Sequence, residues 1–308
     1  MHVRLPAFAK INLDLRILAR EDSGYHQIET IFQRIALADD VDVRIADGHG
    51  ISLTCAPAVD VPQDRNLAWR AAAAYREAAQ WPDATQAIQI TIDKRIPTGG
   101  GLGGGSADAG AVLRALDALN PTPLPQRALL SVAATLGADV PFLTSEHACA
   151  LAWGRGERLL ALAPLPARSV HLALFRDGVN TAEAYGALAA ARADGRVASH
   201  GATLHTAALL GDWDALTAMS ANDFEGPVFA SRHDVARVHA QWSAAAPQAL
   251  VRMSGSGATV FAIGRASDAA ALDDAAEVPP ERGRRIVQSS TLEAVPPAAI
   301  LSPTSHSR

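Results

Sequence analysis

The sequence predicts an α+β protein with two domains. Segments in which apolar residues alternate with period two predict strands, and alanine-rich segments with helical spacing predict helices. Both kinds of segment occur in each half of the chain, and such a mixture is typical of α+β domains. The 308 residues are enough for two domains of ordinary size.

Strands and helices alternate in the first half of the chain. The stretches NLDLRIL, VDVRI and AIQITID each place apolar residues on one face of a half-buried strand. RNLAWRAAAAYREAAQW and SADAGAVLRALDALN predict helices, and the prolines of PTP end the second one. PQRALLSVAATLGAD predicts a third helix, for which Gly137 would be the C-terminal cap.

The second half begins with a new strand, VHLALF, and several helices follow it. ALVRMSGSGATVFAIG predicts two short strands around a glycine-serine turn, SDAAALDDAAE a helix and RRIVQSS a final strand. The proline-rich LAPLPARS indicates a domain boundary. We therefore predict domains over 1–162 and 163–293, and a mobile tail over 294–308.

The composition indicates a chain that buries a sizeable core. Apolar residues make up 49% of the sequence and charged residues 19%, which excludes a disordered chain. The net charge of −5 argues against nucleic acid as a partner. Cys55 and Cys149 lie far apart in apolar settings, which indicates a reducing compartment. Because the first residues lack a signal-peptide pattern and charges interrupt the long apolar runs, we expect a cytoplasmic protein with no membrane partner.

The stretch TGGGLGGGSADAG, residues 98–110, predicts a phosphate site. Six glycines lie between Gly99 and Gly105, with a predicted strand before them and a predicted helix from Ser106. This arrangement directs free backbone N–H groups and the positive end of the helix dipole at one point. Charged residues and Pro97 separate the strand from the glycines, which argues against a dinucleotide site, and the Walker A lysine is missing. A flexible hinge is the alternative, but linkers of that kind are not flanked by a strand and a helix.

Three other stretches combine polar residues with an apolar setting. PAFAKINL places Lys10 and Asn12 in a strand, where a lysine is often a side chain that extends to the surface. LGADVPF places Asp139 beyond a helix end, where an aspartate is often an ordinary turn residue. MSGSGATVFAI can be a plain hairpin. Each has an ordinary explanation, but their co-occurrence with the glycine loop favours function.

Taken together, these stretches resemble the GHMP family of small-molecule kinases. IPTGGGLGGGSADA matches the phosphate loop of that family, and RMSGSGATVFAI matches its C-terminal glycine motif. AKINLDL, SGYHQIET and LGADVPFL are similar to the members that act on a cytidine diphosphate-linked methylerythritol. The resemblance implies an N-terminal ATP-binding domain like domain 2 of ribosomal protein S5 and a ferredoxin-like C-terminal domain. It also implies transfer of the γ-phosphoryl group of ATP to the C2 hydroxyl of that substrate, in the non-mevalonate pathway to isoprenoid precursors.

The same resemblance implies roles for individual residues. Asp139 would be the general base and would also contact the substrate, and Lys10 would hold its carboxylate charged and counter the charge on the transferring group. The ATP contacts would be Asn66, Lys94, Pro97, Gly99, Gly100, Gly101, Leu102, Gly103, Gly104, Gly105 and Ser106. The acceptor contacts would be Asn12, Tyr25, His26, Thr181 and Tyr185, of which Tyr25, His26 and Tyr185 would bind the cytosine. Tyr185 can instead be a core-facing helix residue.

The chain departs from the family pattern at one loop position, because Ala107 replaces the usual second serine. We expect ATP to bind with Mg²⁺, which Ser106 could reach, and no tightly bound cofactor; no acidic metal ligand can be assigned. The partners would be small molecules, and the protein would be a monomer or a homodimer. A mevalonate or homoserine kinase and a non-catalytic nucleotide-binding module are the alternatives, although the aromatic pair and the presence of Asp139 and Lys10 argue against them.

Overall fold

Two β-sheets organise the protein. The computed structural model describes residues 1–22, 24, 26–81, 86–197, 207–276 and 283–301. In this part of the chain the first sheet contains β1 (His2–Arg20), β2 (His26–Asp47), β3 (Ile51–Ala56), β4 (Gln86–Asp93), β5 (Cys149–Gly154), β6 (Arg158–Ala161) and β11 (Ile300–Leu301). The second contains β7 (Ser169–Phe175), β8 (Leu250–Met253), β9 (Val260–Ile263) and β10 (Arg284–Ser290).

The first sheet has the order β11-β1-β2-β4-β3, with β5 paired to β2 and β6 to β5. β1 and β2 form a long antiparallel hairpin, of which the predicted strands NLDLRIL and VDVRI are only parts. The register of this hairpin shifts between Phe8 and Lys10 and again between Asn12 and Asp14. Such bulges redirect side chains. They lie where Lys10 and Asn12 leave the core and line a cleft.

The second sheet is antiparallel and has the order β10-β7-β9-β8. When its strands are numbered from the first to the fourth, this order is 4-1-3-2, which agrees with the ferredoxin-like domain that the resemblance implies. The helices of this half are α5 (Thr181–Ala193), α6 (Ala207–Leu210), α7 (Trp213–Met219), α8 (Glu225–Ser231), α9 (His233–Ala245) and α10 (Ala269–Ala276).

Four helices accompany the first sheet: α1 (Leu67–Ala78), α2 (Gly104–Leu119), α3 (Gln126–Leu136) and α4 (Val140–Thr144). The three predicted ones are present, although α2 begins at Gly104 and not at Ser106. Gly137 follows α3 as predicted, but its φ of 166° is extended and not left-handed. The chain therefore continues forward into α4 and does not reverse as it would after a left-handed cap. None of the helices in the described ranges is long and apolar enough to cross a membrane.

The hydrophobic core of the first sheet continues onto the second. The buried face of α2 packs in this core with Ile11 and Leu13 of β1, and with Leu172 of β7 and Phe261 of β9. The opposite face of the second sheet packs against its own helices, and Trp242 of α9 is one of the residues buried there. The chain passes from one sheet to the other between Ala161 and Ser169, where the boundary is predicted, and the division into two domains stays a prediction.

The segment predicted as a mobile tail lies on the protein as far as Leu301. Ile300 and Leu301 pair with Val3 and His2 at the edge of β1, and the Arg114 side chain donates to the Pro296 carbonyl oxygen at 2.5 Å. Backbone pairing at a sheet edge and a buried arginine that needs an acceptor both hold the segment. The predicted tail therefore differs from the structure over these residues, and positions 302–308 lie outside the described ones.

Candidate active site

The glycine loop crosses from β4 to α2 in a conformation that only glycine adopts freely. Gly99, Gly101 and Gly103 have φ values of 74°, 79° and 71°, which lie in the left-handed region. Gly103 is the N-cap residue of α2 and has no side chain that could cap the helix. The free N–H groups of that turn therefore lie at the loop, as an anion site requires.

The second glycine motif packs directly against this loop. A Cβ atom on Gly101 would lie 2.1 Å from the Ser254 carbonyl oxygen, closer than any real contact. The Ser254 hydroxyl donates to the Gly101 carbonyl oxygen at 2.8 Å, and the Thr259 N–H donates to that of Gly100 at 3.2 Å. The motif is the hairpin that its sequence predicts, and it also supports the glycine loop.

A buried carboxyl group holds the strand that leads into this second motif. The side chain of Glu225 accepts the Met253 N–H at 2.8 Å. Burial raises the pKa of Glu225 from 4.5 to about 7, although the Met253 N–H and the charge of Arg252 lower it. Folding therefore favours the protonated carboxyl group.

This raised pKa predicts a pH-dependent loss of stability. A group whose pKa is raised by folding stabilises the protein below its unfolded pKa, and the contribution is lost as the pH rises through the folded pKa. We expect Glu225→Gln to flatten the fall in unfolding free energy between pH 4.5 and 7, by roughly 1–3 kcal/mol. Urea unfolding at several pH values measures it, with the exposed Glu77→Gln as control. Equal slopes in wild type and Glu225→Gln would contradict the prediction.

Lys10 and Asp139 meet where the two glycine motifs adjoin. The Lys10 ammonium lies 3.5 Å from the Asp139 carboxylate, and Lys10 is only 3% exposed. A Cβ atom on Gly103 would lie 3.2 Å from the lysine stem, so the glycine leaves the space that Lys10 fills. Asp139 precedes α4 but makes no side-chain cap to it, and its side chain is 28% exposed. The carboxylate therefore faces the cleft and is not an ordinary turn residue.

Asn12 links this pair to the second glycine motif. Its Oδ1 atom accepts from the Lys10 ammonium at 2.8 Å and from the Gly255 N–H at 3.0 Å. Its Nδ2 atom donates to the Thr30 hydroxyl at 2.8 Å. The proposed substrate residue thus has a structural function as well, and one Nδ2 proton is left for a ligand.

Aromatic side chains form the other end of the same cleft. The rings of His26 and Tyr185 are stacked, with centroids 4.3 Å apart, and Phe224 meets the Tyr185 ring edge-on at 4.9 Å. Burial lowers the pKa of His26, with help from the charges of Arg20 and Arg192, so its ring is neutral near pH 7. Burial, and after it the charge of Asp139, raises the pKa of Tyr185 to about 12. Two neutral rings suit a stacked base; Tyr25 lies outside the described residues.

Thr181 joins the C-terminal helices to the glycine motif. It is the first residue of α5, and its hydroxyl lies 3.0 Å from that of Ser256. Both side chains line the cleft. Two adjacent hydroxyl groups can donate hydrogen bonds to phosphate oxygens at this position.

Asn66 and Lys94 do not line the cleft. The Asn66 side chain caps α1 by accepting the Ala68 N–H at 2.9 Å. The Lys94 ammonium pairs with the Asp39 carboxylate and, at 2.6 Å, with Asp108. Burial lowers the pKa of Lys94, but the two carboxylates outweigh it and raise the pKa overall. Their contacts with ATP stay a prediction, and both side chains have other partners in this structure.

A single cleft of about 1440 Å³ is lined by many of the residues predicted for the site. Of the residues predicted for the site, it is lined by Lys10, Asn12, His26, Gly101, Gly103, Ser106, Asp139, Thr181 and Tyr185. Phe224 and Ser256 also line it without having been predicted. Ser256 lies within the quoted glycine motif, where its hydroxyl could have indicated it, whereas nothing in the sequence around Phe224 marks it.

Carboxylates that could hold a metal ion are dispersed. Among the described residues, no three His, Cys, Asp or Glu side chains are grouped closely enough to bind one. Asp139 and Ser106 are two oxygen donors that line the cleft, and oxygen ligands are those that Mg²⁺ prefers.

The chain is similar to known kinases in sequence and in fold. The model of the GHMP kinases N terminal domain matches residues 66–147. The 4-diphosphocytidyl-2-C-methyl-D-erythritol kinase of Desulfotalea psychrophila is 42% identical over 163 residues, which are 53% of either chain. That of Citrifermentans bemidjiense is 35% identical over 283 residues, which are 91% of this chain and 96% of the relative.

A solved structure extends the similarity to the whole fold. The crystal structure of a 4-(cytidine 5'-diphospho)-2C-methyl-D-erythritol kinase superposes with a TM-score of 0.71 at 33% sequence identity. The superposition covers 94% of this chain and 98% of that one. Both sheets therefore have counterparts in that protein.

Proposed function

Because the chain belongs to the 4-diphosphocytidyl-2-C-methyl-D-erythritol kinases of the GHMP kinase family, we propose that it transfers the γ-phosphoryl group of ATP to the C2 hydroxyl of that substrate. It is thus an ATP-dependent small-molecule kinase of isoprenoid precursor synthesis. The observation that carries the proposal is the position of the Lys10–Asp139 pair, 3.5 Å apart. The pair lies in one cleft with the phosphate loop and with the His26–Tyr185 stack.

Asp139 would accept the proton of the C2 hydroxyl as the oxygen attacks the γ-phosphorus. Its carboxylate is free for this role because it does not cap α4. The buried Lys10 ammonium would counter the negative charge on the transferring group, and positioning and charge stabilisation are the main terms in phosphoryl transfer. The proton would pass from the C2 hydroxyl to Asp139, and the γ-phosphoryl group would pass from ATP to the C2 oxygen. ADP would be the leaving group.

The glycine loop would bind the triphosphate through backbone N–H groups. Residues 99–105 and the first turn of α2 would supply these donors, and Gly101, Gly103 and Ser106 of this stretch line the cleft. ATP would arrive as its magnesium complex; the oxygen atoms of Ser106 and Asp139, which line the cleft, would hold the ion, and it would neutralise phosphate charge. Backbone donors do not depend on the hydroxyl that Ala107 lacks, so that substitution is compatible with binding.

The aromatic end of the cleft would bind the cytidine. Tyr185 offers a ring face and His26 a hydrogen-bonding ring, while Thr181 and Asn12 would contact the phosphates and the sugar alcohol. Tyr25 would be the other aromatic residue of the clamp. Stacking together with hydrogen bonds to the base edge discriminates cytidine from aliphatic acceptors.

An assay of ADP release tests the reaction directly. Magnesium-ATP would be offered with the cytidine substrate, with mevalonate and with homoserine in parallel. Turnover with the cytidine substrate alone is expected. Turnover with another acceptor would support the proposed ATP site but contradict the proposed cytosine clamp. ATP binding without any turnover would favour a non-catalytic nucleotide-binding module.

Tyr185→Ala is expected to weaken binding of the cytidine substrate but not of ATP. Because a stacked base contributes roughly 1–3 kcal/mol, KM for that substrate should rise roughly 5- to 150-fold while KM for ATP changes little. Tyr185→Phe keeps the ring and is the matched control, with a KM near that of the wild type. Tyr25→Ala carries the same expectation. An equal loss for both substrates would show that the ring is structural.

A further inference from the structure

Thr30 lies directly behind the catalytic pair and is fully buried. Its hydroxyl donates to the Asp14 carbonyl oxygen at 2.6 Å and accepts from the Asn12 Nδ2 atom at 2.8 Å. We infer that Thr30 is a positioning residue, which sets the orientation of the Asn12 amide and thereby the place of the Lys10 ammonium. The inference rests on the proposed function of the site.

The direction of these hydrogen bonds follows from the groups themselves. A backbone carbonyl can only accept, so the single proton of the Thr30 hydroxyl is used on Asp14. Toward Asn12 the hydroxyl can then only accept, which requires the amide nitrogen on that side. The Oδ1 atom of Asn12 must therefore point the other way, into the cleft.

On the cleft side, Oδ1 meets two donors. The Lys10 ammonium donates to it at 2.8 Å and the Gly255 N–H at 3.0 Å. The reversed amide would place donors against donors in a buried site, which is costly. One oxygen atom thus holds Lys10 of the first sheet and the glycine motif of the second sheet at a fixed separation.

The Asp139 carboxylate alone does not fix the position of the Lys10 ammonium. The distance between the two groups is 3.5 Å, which exceeds the usual 2.7–2.9 Å of a charge-assisted hydrogen bond. The shorter bond to Asn12 therefore fixes the ammonium, and its remaining protons stay available to Asp139 and to the transferring phosphoryl group. Loss of the Thr30 hydroxyl would leave the buried Asn12 nitrogen without its acceptor, which is costly, and the amide would shift from its place together with the ammonium bound to Oδ1.

The test compares Thr30→Val, which has the same shape without the hydroxyl, with Thr30→Ser, which keeps the hydroxyl. We expect Thr30→Val to lower kcat roughly 10- to 100-fold, as for a small displacement at a reacting centre, with little change in either KM. Thr30→Ser should stay near the wild-type kcat. Thr291→Val is the matched control, because Thr291 is also buried and its hydroxyl accepts the Arg168 N–H at 2.9 Å, away from the cleft. If Thr30→Val fails to fold, Thr30→Ala carries the same expectation.

A double-mutant cycle separates positioning from general destabilisation. In an Asn12→Ala background, Thr30→Val should have no further effect on kcat, because the amide that links Thr30 to Lys10 is absent. Independent, additive losses would overturn the inference, and so would a Thr30→Val enzyme with wild-type kcat or a loss that Thr30→Ser shares.

A second readout does not depend on turnover. The ¹H–¹⁵N signal of the Lys10 ammonium should be visible in the wild type, because burial and the bond to Asn12 slow its exchange, and should be lost in Thr30→Val. An unchanged signal would overturn the inference even if no acceptor were phosphorylated, and absence of wild-type turnover alone would count against the proposed function.

Discussion

Asp139→Asn is expected to lower kcat by about 10²- to 10⁴-fold, the contribution of a positioned general base. The asparagine has nearly the same shape but cannot accept the hydroxyl proton, and it removes the charge 3.5 Å from the Lys10 ammonium. Binding of ATP should remain nearly intact, because the contacts proposed between the glycine loop and ATP are made by the backbone. Steady-state kinetics measures kcat, and calorimetry measures the Kd of ATP.

Asp194→Asn is the control for that substitution. Asp194 has a side chain that is 61% exposed and paired with Arg196, and it does not line the cleft. Its kcat should equal that of the wild type. Near-normal turnover in Asp139→Asn would remove Asp139 from the mechanism, and loss of ATP binding would indicate a structural role for the carboxylate.

Gly101→Ala should disable the phosphate loop. The new Cβ atom would lie 2.1 Å from the Ser254 carbonyl oxygen, which belongs to the backbone of the second glycine motif and cannot rotate away. Displacement of the loop adds about 1–3 kcal/mol of overpacking to about 1–2 kcal/mol of left-handed strain. We expect KM for ATP to rise by more than about tenfold and kcat to fall with it.

Gly99→Ala separates the two causes. Gly99 has a similar φ of 74°, but an added Cβ atom would meet nothing within 4 Å. This variant should lose only the roughly 1–2 kcal/mol of the left-handed conformation. If both variants raise the KM for ATP equally, the close contact with Ser254 is not the reason why glycine is needed at position 101.

Local patterns predicted much of the fold. The period-two stretches lie in β1, β2 and β4, and the alanine-rich ones form α1 and α2. The edge strand β3 and the β5–β6 hairpin were not predicted, because short strands are stabilised by their neighbours more than by their own residues. The conformation of Gly137 was not predicted for a similar reason. Its backbone is extended because the chain continues into α4, although glycine at a helix end is typical of a left-handed cap.

The site was predicted unevenly for a similar reason. The resemblance brought Lys10, Asp139, His26 and Tyr185 together, and the structure places their side chains in one cleft. It also assigned Lys94 to ATP, but the structure pairs that ammonium with Asp39 and Asp108, two carboxylates that lie 55 and 14 residues from it in sequence. Phe224 and Thr30 acquire their places only from the packing of other elements around them.

The class of fold and the family followed from the sequence alone, which also predicted a phosphate loop, because periodicity, glycine spacing and short motifs depend on neighbours along the chain. The tertiary structure was needed to show which side chains share a cleft and which of them already have other partners. Hydrogen-bond direction at Thr30 and Asn12, the 3.5 Å separation of Lys10 from Asp139 and the docking of the C-terminal segment on β1 arise from contacts between distant parts of the chain. Such contacts depend on the packing of whole elements, which no local pattern records.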